Sequence, residues 1–486
     1  MSLIRRSFGL SAANKYTQFL LILISNMAIA RLLTPAEIGT YAIAAVVAGI
    51  AQIFRDMGIG QYLIREPELD EAKLQVAFTL MTTMAWCLGI ILFLVSSWVS
   101  EFYGETELQQ VLRIQAITFF IIPFGAISLT LLKREFRFGA TYFVEVVSTA
   151  VHVGAAIGLA LWGLGAESLA WASVAGVLTT SAGAVLARRG RFAYWPSYRG
   201  AKAVLNFGGA VAVTQLLVSL SRDVPELLIG KLMGMSSLAF FNKALLPATI
   251  VSQFVMGALG PVLLPAFSKK HRERDYEQPF LYGVACVTAL LLPGLMLASF
   301  LSDWIVMLLF GPQWEQAVDP MRIFAVATAI AAATNISSPL LVALGYPKAP
   351  MKMQLVVVPT RIILVSLAIP YGLGAIALAW LGSGVLGSVI QCYMVHRLAG
   401  IPLLSQVRAM APAILFGCPI AAGIGTAVWW LQPEVTVLNS AVVLGVAALV
   451  FGILWLAVLS AIKHPLYQEI QTVLSWTRRA TGASSG

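Results

Sequence analysis

The chain has 486 residues, of which 59% are hydrophobic and only 11% charged, and its mean hydropathy is +0.85. A soluble globular protein carries about 25% charged residues, so this composition excludes a soluble domain and indicates a protein that lies in a lipid bilayer. The formal net charge of +10 does not indicate a nucleic-acid partner, because the basic residues follow the pattern of membrane loops.

Apolar segments of the length that spans a bilayer fill most of the chain. A transmembrane helix needs about 20 predominantly apolar residues. We predict an all-α integral membrane protein with about 14 transmembrane helices, over residues 11–33, 37–58, 74–99, 108–132, 140–163, 166–188, 203–231, 236–267, 279–309, 317–343, 349–370, 373–397, 408–431 and 436–462.

The charges between these segments predict the topology. If the first loop is external, the inner loops and termini hold most of the Lys and Arg, among them Arg5, Arg6, Lys133, Arg134, Arg188, Arg189, Lys269, Lys270, Arg478 and Arg479. The outer loops carry acids instead, at Glu101, Glu105, Glu107, Glu167 and Glu434. The positive-inside rule then places both termini in the cytoplasm.

The first span resembles an export signal in two respects, since Arg5-Arg6 precedes it and Ala28-Ile29-Ala30 ends it. However, Lys15 interrupts the apolar run, and the next residues, RLLTPAEIGTYAIA, have a counterpart later in the chain. We therefore expect the segment to be retained as a transmembrane helix.

The fifth span carries three polar residues on one helical face. Glu145, Thr149 and His152 are spaced by four and three residues. A carboxylate and an imidazole in apolar surroundings are candidates to carry a coupling proton. A hydrogen-bonded structural pair is the alternative.

The seventh span carries a longer polar stripe. Gln215, Ser219, Arg222 and Glu226 step by four, three and four residues and so share one face. Gln215 and Arg222 are candidates to bind substrate, and Glu226 and the adjacent Asp223 are candidates for coupling. Alternatively, Arg222 forms a structural ion pair with one of these acids.

Two further cations lie within predicted spans. Lys243 is in the eighth span and Arg361 near the middle of the eleventh, and neither has an acid within helical reach in its own span. Cations at this depth favour an anionic ligand, and the planar guanidinium of Arg361 suits a phosphate. Snorkelling to the interface is the alternative, more plausible for Lys243 than for Arg361.

One phrase occurs twice in the chain. GLGAESLAW, from Gly163 to Trp171, returns 209 residues later as GLGAIALAW, from Gly372 to Trp380. A recurring tight turn would require the glycines but not the Leu-Ala-Trp that follows. A second match, at an offset of 200, relates residues 30–41 to residues 230–241.

These matches predict a duplicated six-span unit followed by two added helices. Because six is even, equivalent helices run in the same direction, as in transporters built from parallel repeats with a binding site in the cleft between them. The predicted parts are lobes at 1–200 and 201–400 and a C-terminal part at 401–486. At an offset of 200, Gln215 and Glu226 correspond to Lys15 and Asn26, which become candidates for substrate binding.

Catalytic and metal-binding motifs do not occur in the sequence. The four cysteines, Cys87, Cys286, Cys392 and Cys418, all fall in spans without metal-ligand spacing. There is no Walker A loop, no His/Glu metal motif and no nucleophile elbow. We expect no bound metal, no cofactor and no enzymatic activity.

The sequence resembles the Wzx-like flippases of the polysaccharide transporter family, in the superfamily that also contains MurJ and the MATE exporters. The resemblance lies in ARLLTPAEIGTYAIA (30–44), FRDMGIGQYLIRE (54–66) and LIGKLMG (228–234). It implies fourteen helices in two six-helix lobes around a central cationic cavity, with Lys15, Arg222, Lys243 and Arg361 as its cations.

The resemblance also implies a function. Such proteins move undecaprenyl-pyrophosphate-linked oligosaccharides across the bacterial inner membrane for exopolysaccharide, capsule or O-antigen assembly, by alternating access. The implied partners are this substrate, membrane lipids, a polymerase and a chain-length regulator, with H⁺ or Na⁺ as a possible coupling ion. Trp86, Trp162 and Trp380 are candidates to stack on sugars, or are interface anchors.

Two other classes of function remain open. A cation-coupled exporter of small amphipathic molecules would use the same scaffold, but it needs acids to bind a cationic substrate, and bases outnumber acids in the spans. A membrane polymerase or ligase would be expected to carry catalytic Arg or His in a large external loop, and the predicted external loops are short.

Overall fold

The computed structural model describes residues 2–188, 193–273, 275–431 and 434–471, and within them the side chains of 1–15 and of several positions in 203–272 are outside the description. The described part is mainly helical and contains no strand, so the predicted all-α class is confirmed. The chain divides into two compact units, Met1–Ala239 and Phe240–Gly486.

Ten helices begin in the first unit. They are α1 (Ser2–Leu32), α2 (Pro35–Asp56), α3 (Ile59–Arg65), α4 (Glu71–Tyr103), α5 (Thr106–Ile121), α6 (Pro123–Arg134), α7 (Phe138–Leu161), α8 (Ala166–Arg188), α9 (Ala201–Met233) and α10 (Met235–Arg272), which continues into the second unit.

Nine more helices follow in the second unit. They are α11 (Glu277–Phe300), α12 (Ser302–Leu309), α13 (Val318–Thr334), α14 (Ser337–Ala343), α15 (Ala349–Ala368), α16 (Leu373–Ala399), α17 (Leu403–Pro412), α18 (Cys418–Leu431) and α19 (Val437–Ala461). Short 3-10 helices cover Pro312–Ala317 and Ile369–Tyr371, and a π-helical turn, Ala413–Gly417, joins α17 to α18.

Each predicted span coincides with one helix or with two consecutive helices. Within the described residues, eleven helical segments are long and apolar enough to cross a membrane, and a twelfth arises if α5 and α6 form one broken span. The protein is therefore a multi-pass membrane protein, whereas the predicted count of fourteen is not confirmed. The break between α5 and α6 is a bend of 56° at Pro123, which has no N–H to continue the hydrogen-bond ladder.

The family-like stretch ARLLTPAEIG builds a tight corner between α1 and α2. The Oγ1 of Thr34 accepts a hydrogen bond from the N–H of Glu37, and the Glu37 carboxylate accepts one from the N–H of Thr34 at 2.7 Å. This capping box fixes the start of α2. One turn further, a Cβ at Gly39 would lie 1.9 Å from the Met235 carbonyl oxygen, so α2 meets the start of α10 at backbone distance.

The same helix pairs pack inside each unit. In the first unit, α4 packs on α5, α5 on α8 and α7 on α8, and in the second α11 packs on α13, α13 on α16 and α15 on α16. The repeated phrase forms the turn before α8 and before α16, with Gly163 at φ +80° and Gly372 at φ +91°. These internal matches support the predicted duplication, while the boundaries at residues 200 and 400 stay a prediction.

A third match appears only with the structure. Arg113 in α5 and Arg322 in α13 are also 209 residues apart, and each is followed by Ile. The Nε of Arg113 donates to the Oγ of Ser96 at 3.3 Å, and the Nε of Arg322 donates to the Oγ of Ser302 at 3.1 Å. Arg113 thus joins α5 to α4, and Arg322 joins α13 to the start of α12, each within its own unit.

Candidate functional site

Arg222 in α9 is paired with acids of its own helix. Its Nε lies 3.2 Å from Oδ1 of Asp223 and 3.8 Å from Oε1 of Glu226. The Arg222 side chain is 68% exposed, whereas those of Asp223 and Glu226 are 4% and 10% exposed. The structural ion pair, one of the two interpretations of this stripe, is present.

The other polar candidates on α1 and α9 have separate environments. Gln215 is exposed and lines a cavity beside the α2–α3 corner. Asn26 donates from Nδ2 to the carbonyl of Ile22 one turn back, at 3.0 Å. The side chain of Lys15 lies outside the described residues. The structure thus does not place the members of the predicted stripe at one point.

Glu145 and His152 have different partners, although they share a face of α7. One Glu145 oxygen, Oε1, lies 2.9 Å from the Nζ of Lys133 in α6, and the other, Oε2, accepts a hydrogen bond from Gln18 in α1 at 3.3 Å. His152 packs against α8, where a Cβ at Gly176 would lie 3.2 Å from the Cβ of His152. Glu145 therefore links three helices, and His152 belongs to the α7–α8 contact.

Lys243 in α10 is buried among aromatic rings. Its side chain is 5% exposed, and its Nζ lies 5.0 Å from the ring centroid of Phe310 and 5.5 Å from that of Trp314. Phe240 stacks edge-on against Trp314 at 5.6 Å, which closes the aromatic surroundings. Such a geometry stabilises an ammonium through the ring quadrupoles. The alternative that Lys243 extends to the membrane interface does not fit a side chain that is buried among these rings.

Arg361 in α15 is held by the next helix. Its Cζ lies 4.2 Å from the ring centroid of Trp380, and its Nε donates to the Oγ of Ser383 at 3.0 Å. Trp380 is fixed in turn by edge contacts with Phe241 at 5.7 Å and Phe324 at 6.1 Å. In the part of the chain that the structure describes, no carboxylate lies within 4.0 Å of this guanidinium.

The contacts of Arg361 leave part of its donor set open. The Nε is used by Ser383, and one face of the guanidinium is covered by Trp380. Over the described residues, the two terminal nitrogens have no protein partner, and neither is among the fully buried polar atoms. A planar guanidinium with two N–H-bearing nitrogens left over is the geometry that binds phosphate oxygens in pairs.

The partners of Arg361 and Lys243 were not predicted from the sequence. Trp380 was considered as a sugar-stacking or interface residue, but here it carries the guanidinium of Arg361. The repeat held a usable signal, since at the offset of 209 Arg361 corresponds to His152 and Trp380 to Trp171. In both units the helix before the repeated turn therefore presents a nitrogen-bearing side chain to the helix after it.

Relatives of known name resemble the chain at low identity. The teichuronic acid biosynthesis protein TuaB of Bacillus subtilis is 26% identical over 300 residues, which are 61% of this chain and 62% of TuaB. The chain thus spans less than two thirds of that relative. The succinoglycan biosynthesis transport protein ExoT of Rhizobium meliloti is 24% identical over 345 residues, which are 70% of this chain and 69% of ExoT.

Solved transporter structures share the fold. The lipid II flippase MurJ in an inward closed conformation has a TM-score of 0.70 at 13% identity, over 93% of this chain and 98% of MurJ. An inward-facing MATE multidrug resistance transporter of the MOP superfamily has a TM-score of 0.60 at 14% identity, over 79% of this chain and 95% of the transporter.

The family described as polysaccharide biosynthesis protein matches residues 28–319, which is more than half of the chain. This match covers the α1–α2 corner and the polar helix α9, so it includes the residues on which the sequence resemblance rests. The resemblance to polysaccharide flippases related to MurJ and MATE is confirmed. The chain therefore belongs to the polysaccharide biosynthesis protein family, and its fold is that of the MOP superfamily transporters.

Proposed function

We propose that the protein is a flippase that moves undecaprenyl-pyrophosphate-linked oligosaccharide repeat units from the cytoplasmic to the periplasmic leaflet of the bacterial inner membrane. The glycan would serve exopolysaccharide, capsule or O-antigen assembly. Family membership supports a role in polysaccharide biosynthesis, and the name of ExoT supports transport. The proposed topology has both termini in the cytoplasm.

The observation that carries the proposal is the environment of Arg361. A pyrophosphate cannot cross hydrocarbon unaided, because removing its hydration without replacement costs far more than thermal energy. A guanidinium that lies over an indole, and whose two terminal nitrogens have no partner among the described residues, can supply replacement hydrogen bonds to phosphate oxygens. The polyprenyl tail can stay among the lipids while the head group binds.

The mechanism we propose is alternating access, in which the arginine is presented first to one leaflet and then to the other. Lys243 is proposed as a second cation of this path, and Lys15, Arg222, Gln215 and Asn26 keep their proposed roles as polar contacts. The driving ion, H⁺ or Na⁺, is proposed to act through one of the acids or through His152. A polysaccharide polymerase and a chain-length regulator are the proposed downstream partners.

The experiment is reconstitution of the purified protein in proteoliposomes with undecaprenyl pyrophosphate that carries a saccharide, followed by measurement of its transfer between leaflets. We expect transfer by the wild type and a loss of about tenfold or more in Arg361→Ala, which removes a charge-assisted contact. Arg408→Ala, at an exposed position of α17, is the matched control and should transfer normally. Equal rates in Arg361→Ala and wild type would refute the proposed role of the arginine.

A second candidate, a cation-coupled exporter of small amphipathic molecules, is favoured by the α9 cluster alone. Asp223 and Glu226 place two buried carboxylates beside the exposed side chain of Arg222, and a site for a cationic molecule requires carboxylates. Efflux of a lipophilic cation from cells that overproduce the wild type, lost in Asp223→Asn, would support this candidate. Normal polysaccharide export after deletion of the gene would count against the flippase.

A further inference from the structure

A small cavity lies where α2, α3 and α9 meet in the first unit. Helix α2 ends at Asp56, and Met57 and Gly58 turn the chain at φ +33° and +62° before α3 begins. A Cβ at Gly208 of α9 would lie 1.8 Å from the Met57 carbonyl oxygen. The corner thus rests directly on the backbone of α9, which fixes the shape of the space beside it.

The cavity has a volume of about 230 Å³ and is lined by three carboxamides and one carboxylate. The carboxamides are those of Gln52 in α2, Gln61 in α3 and Gln215 in α9. None of the three has a hydrogen-bond partner among the residues that the structure describes. Each amide offers two N–H donors and a carbonyl acceptor, so the cavity presents both kinds of group to a ligand.

The carboxylate of the cavity belongs to Asp56 and is neutralised by Arg55. Its Oδ1 accepts hydrogen bonds from Nε of Arg55 and lies 2.8 Å from Nη2 of the same residue. The Arg55 side chain is only 7% exposed and lies over the ring of Phe119, whereas that of Asp56 is 59% exposed. The ion pair therefore leaves the site without net charge and leaves Oδ2 available as an acceptor.

These properties select one class of ligand. A phosphate would meet the carboxylate of Asp56 and no accessible cation, and a metal ion would prefer several carboxylates. A saccharide ring carries hydroxyls that both donate and accept, which matches three amides and one carboxylate oxygen. The volume lies below the roughly 300–1,000 Å³ of sites for drug-sized ligands, which suits a single sugar ring.

We propose that this cavity is a saccharide subsite, in which Gln52, Gln61, Gln215 and Asp56 bind the hydroxyls of one neutral sugar of the lipid-linked glycan. The proposal rests on the proposed function, since it assigns the sugar to the transported substrate. The subsite would contribute to affinity for the glycan alone, so its loss should leave the binding of a lipid without sugar unchanged.

The test measures binding of two kinds of lipid to the full-length protein in nanodiscs. The probes are undecaprenyl pyrophosphate alone and the same lipid carrying one glucose, galactose or N-acetylglucosamine. We expect the wild type to bind at least one sugar-bearing lipid about tenfold more tightly than the bare lipid. In the triple variant Gln52→Ala, Gln61→Ala, Gln215→Ala this preference should disappear, with unchanged affinity for the bare lipid.

Matched variants separate the possible outcomes. Gln110→Ala, at an exposed glutamine in α5, should keep the preference for the sugar-bearing lipid. Arg361→Ala should weaken the binding of both lipids by the same factor. If the triple variant does not fold, the single variants Gln61→Ala and Gln215→Ala are measured instead. Wild-type binding of neither lipid would overturn the proposed function, whereas binding of both without a sugar preference, or a preference that survives in the glutamine variants, would overturn the subsite alone.

Discussion

Arg361 in α15 lies over the indole of Trp380 in α16, with the guanidinium Cζ 4.2 Å from the ring centroid. The ring covers one face of the guanidinium, and the Oγ of Ser383 accepts a hydrogen bond from Nε at 3.0 Å. Both contacts fix the orientation of the guanidinium. Because both supports come from the next helix, the direction of the guanidinium depends on the packing of α15 on α16.

Replacement of the indole should therefore weaken phosphate binding without removing the charge. A cation–π contact contributes about 0.5–2 kcal/mol, so Trp380→Ala should weaken binding of undecaprenyl pyrophosphate by about 2- to 30-fold. Trp380→Phe keeps an aromatic face and should lose less. The measurement is lipid binding in nanodiscs, and equal affinities for the wild type and Trp380→Ala would contradict the supporting role of the ring.

Substitution of Lys243 should distinguish an effect on stability from an effect on transport. Methionine fills a similar volume and packs well against the rings of Phe310 and Trp314, so Lys243→Met should fold with a Tm close to that of the wild type. If the ammonium binds substrate, transfer of the lipid-linked saccharide falls. The two measurements are a thermal unfolding curve and the proteoliposome assay, and a fall in both together would indicate a structural role only.

The ion pair between Lys133 and Glu145 should be measurable as a coupling energy. The two atoms are 2.9 Å apart, and the side chains are 43% and 23% exposed, so solvent screens the pair in part. We expect Lys133→Ala and Glu145→Ala to be non-additive by about 0.5–1 kcal/mol in a double-mutant cycle of unfolding free energy. Strict additivity would show that the contact contributes nothing to stability.

Two glycines of the first unit should respond in opposite ways to alanine. At Gly39 the added methyl would lie 1.9 Å from the Met235 carbonyl oxygen, which is backbone and cannot give way, whereas at Gly154 in α7 nothing lies within 4 Å. Gly39→Ala should lower stability by about 1–3 kcal/mol or prevent folding, as overpacking does. Gly154→Ala should be neutral or slightly stabilising. Yield and thermal unfolding of both variants test the contrast.

The segment after α19 should respond to pH through His464. Burial lowers the pKa of this imidazole below its usual value of about 6.5, and its Nδ1 accepts a hydrogen bond from the N–H of Leu466 at 3.1 Å. Protonation therefore favours the undocked segment. The stabilising contribution is fully present above about pH 6.5 and is lost as the pH falls through the lowered pKa.

Hydrogen exchange measures this effect directly. Amides of residues 466–471 should lose protection as the pH is lowered from 7.5 to 5, after correction for the intrinsic exchange rate. His464→Asn keeps an acceptor for the N–H of Leu466 without a titrating group, so its protection should not change with pH. A pH response of the same size in that variant would exclude His464 as its cause.

The sequence predicted local features well and tertiary partners poorly. The ion pair of Arg222 with Asp223 and Glu226 was foreseeable, because both acids lie within one turn of the same helix. Trp380 and Ser383 lie 19 and 22 residues beyond Arg361, so their position depends on how α15 packs on α16. Helical spacing predicted that Glu145 and His152 share a face of α7, but the partners of Glu145 are Lys133 and Gln18 on other helices.

The number of spans and the broken helices were harder to predict for a similar reason. The segment 108–132 was predicted as one continuous span, yet Pro123 divides it into α5 and α6. The cavity beside the α2–α3 corner was not predicted, because it requires Gln215 from α9 as well as residues of α2 and α3. Its glutamines carry no charge and form no motif.

Glu145 uses one carboxylate oxygen for Lys133 of α6 and the other for Gln18 of α1, while its own backbone belongs to α7. Neutralisation of this single side chain would weaken both attachments in one event. A change at this one side chain therefore alters the contact of α7 with α6 and its contact with α1 at the same time.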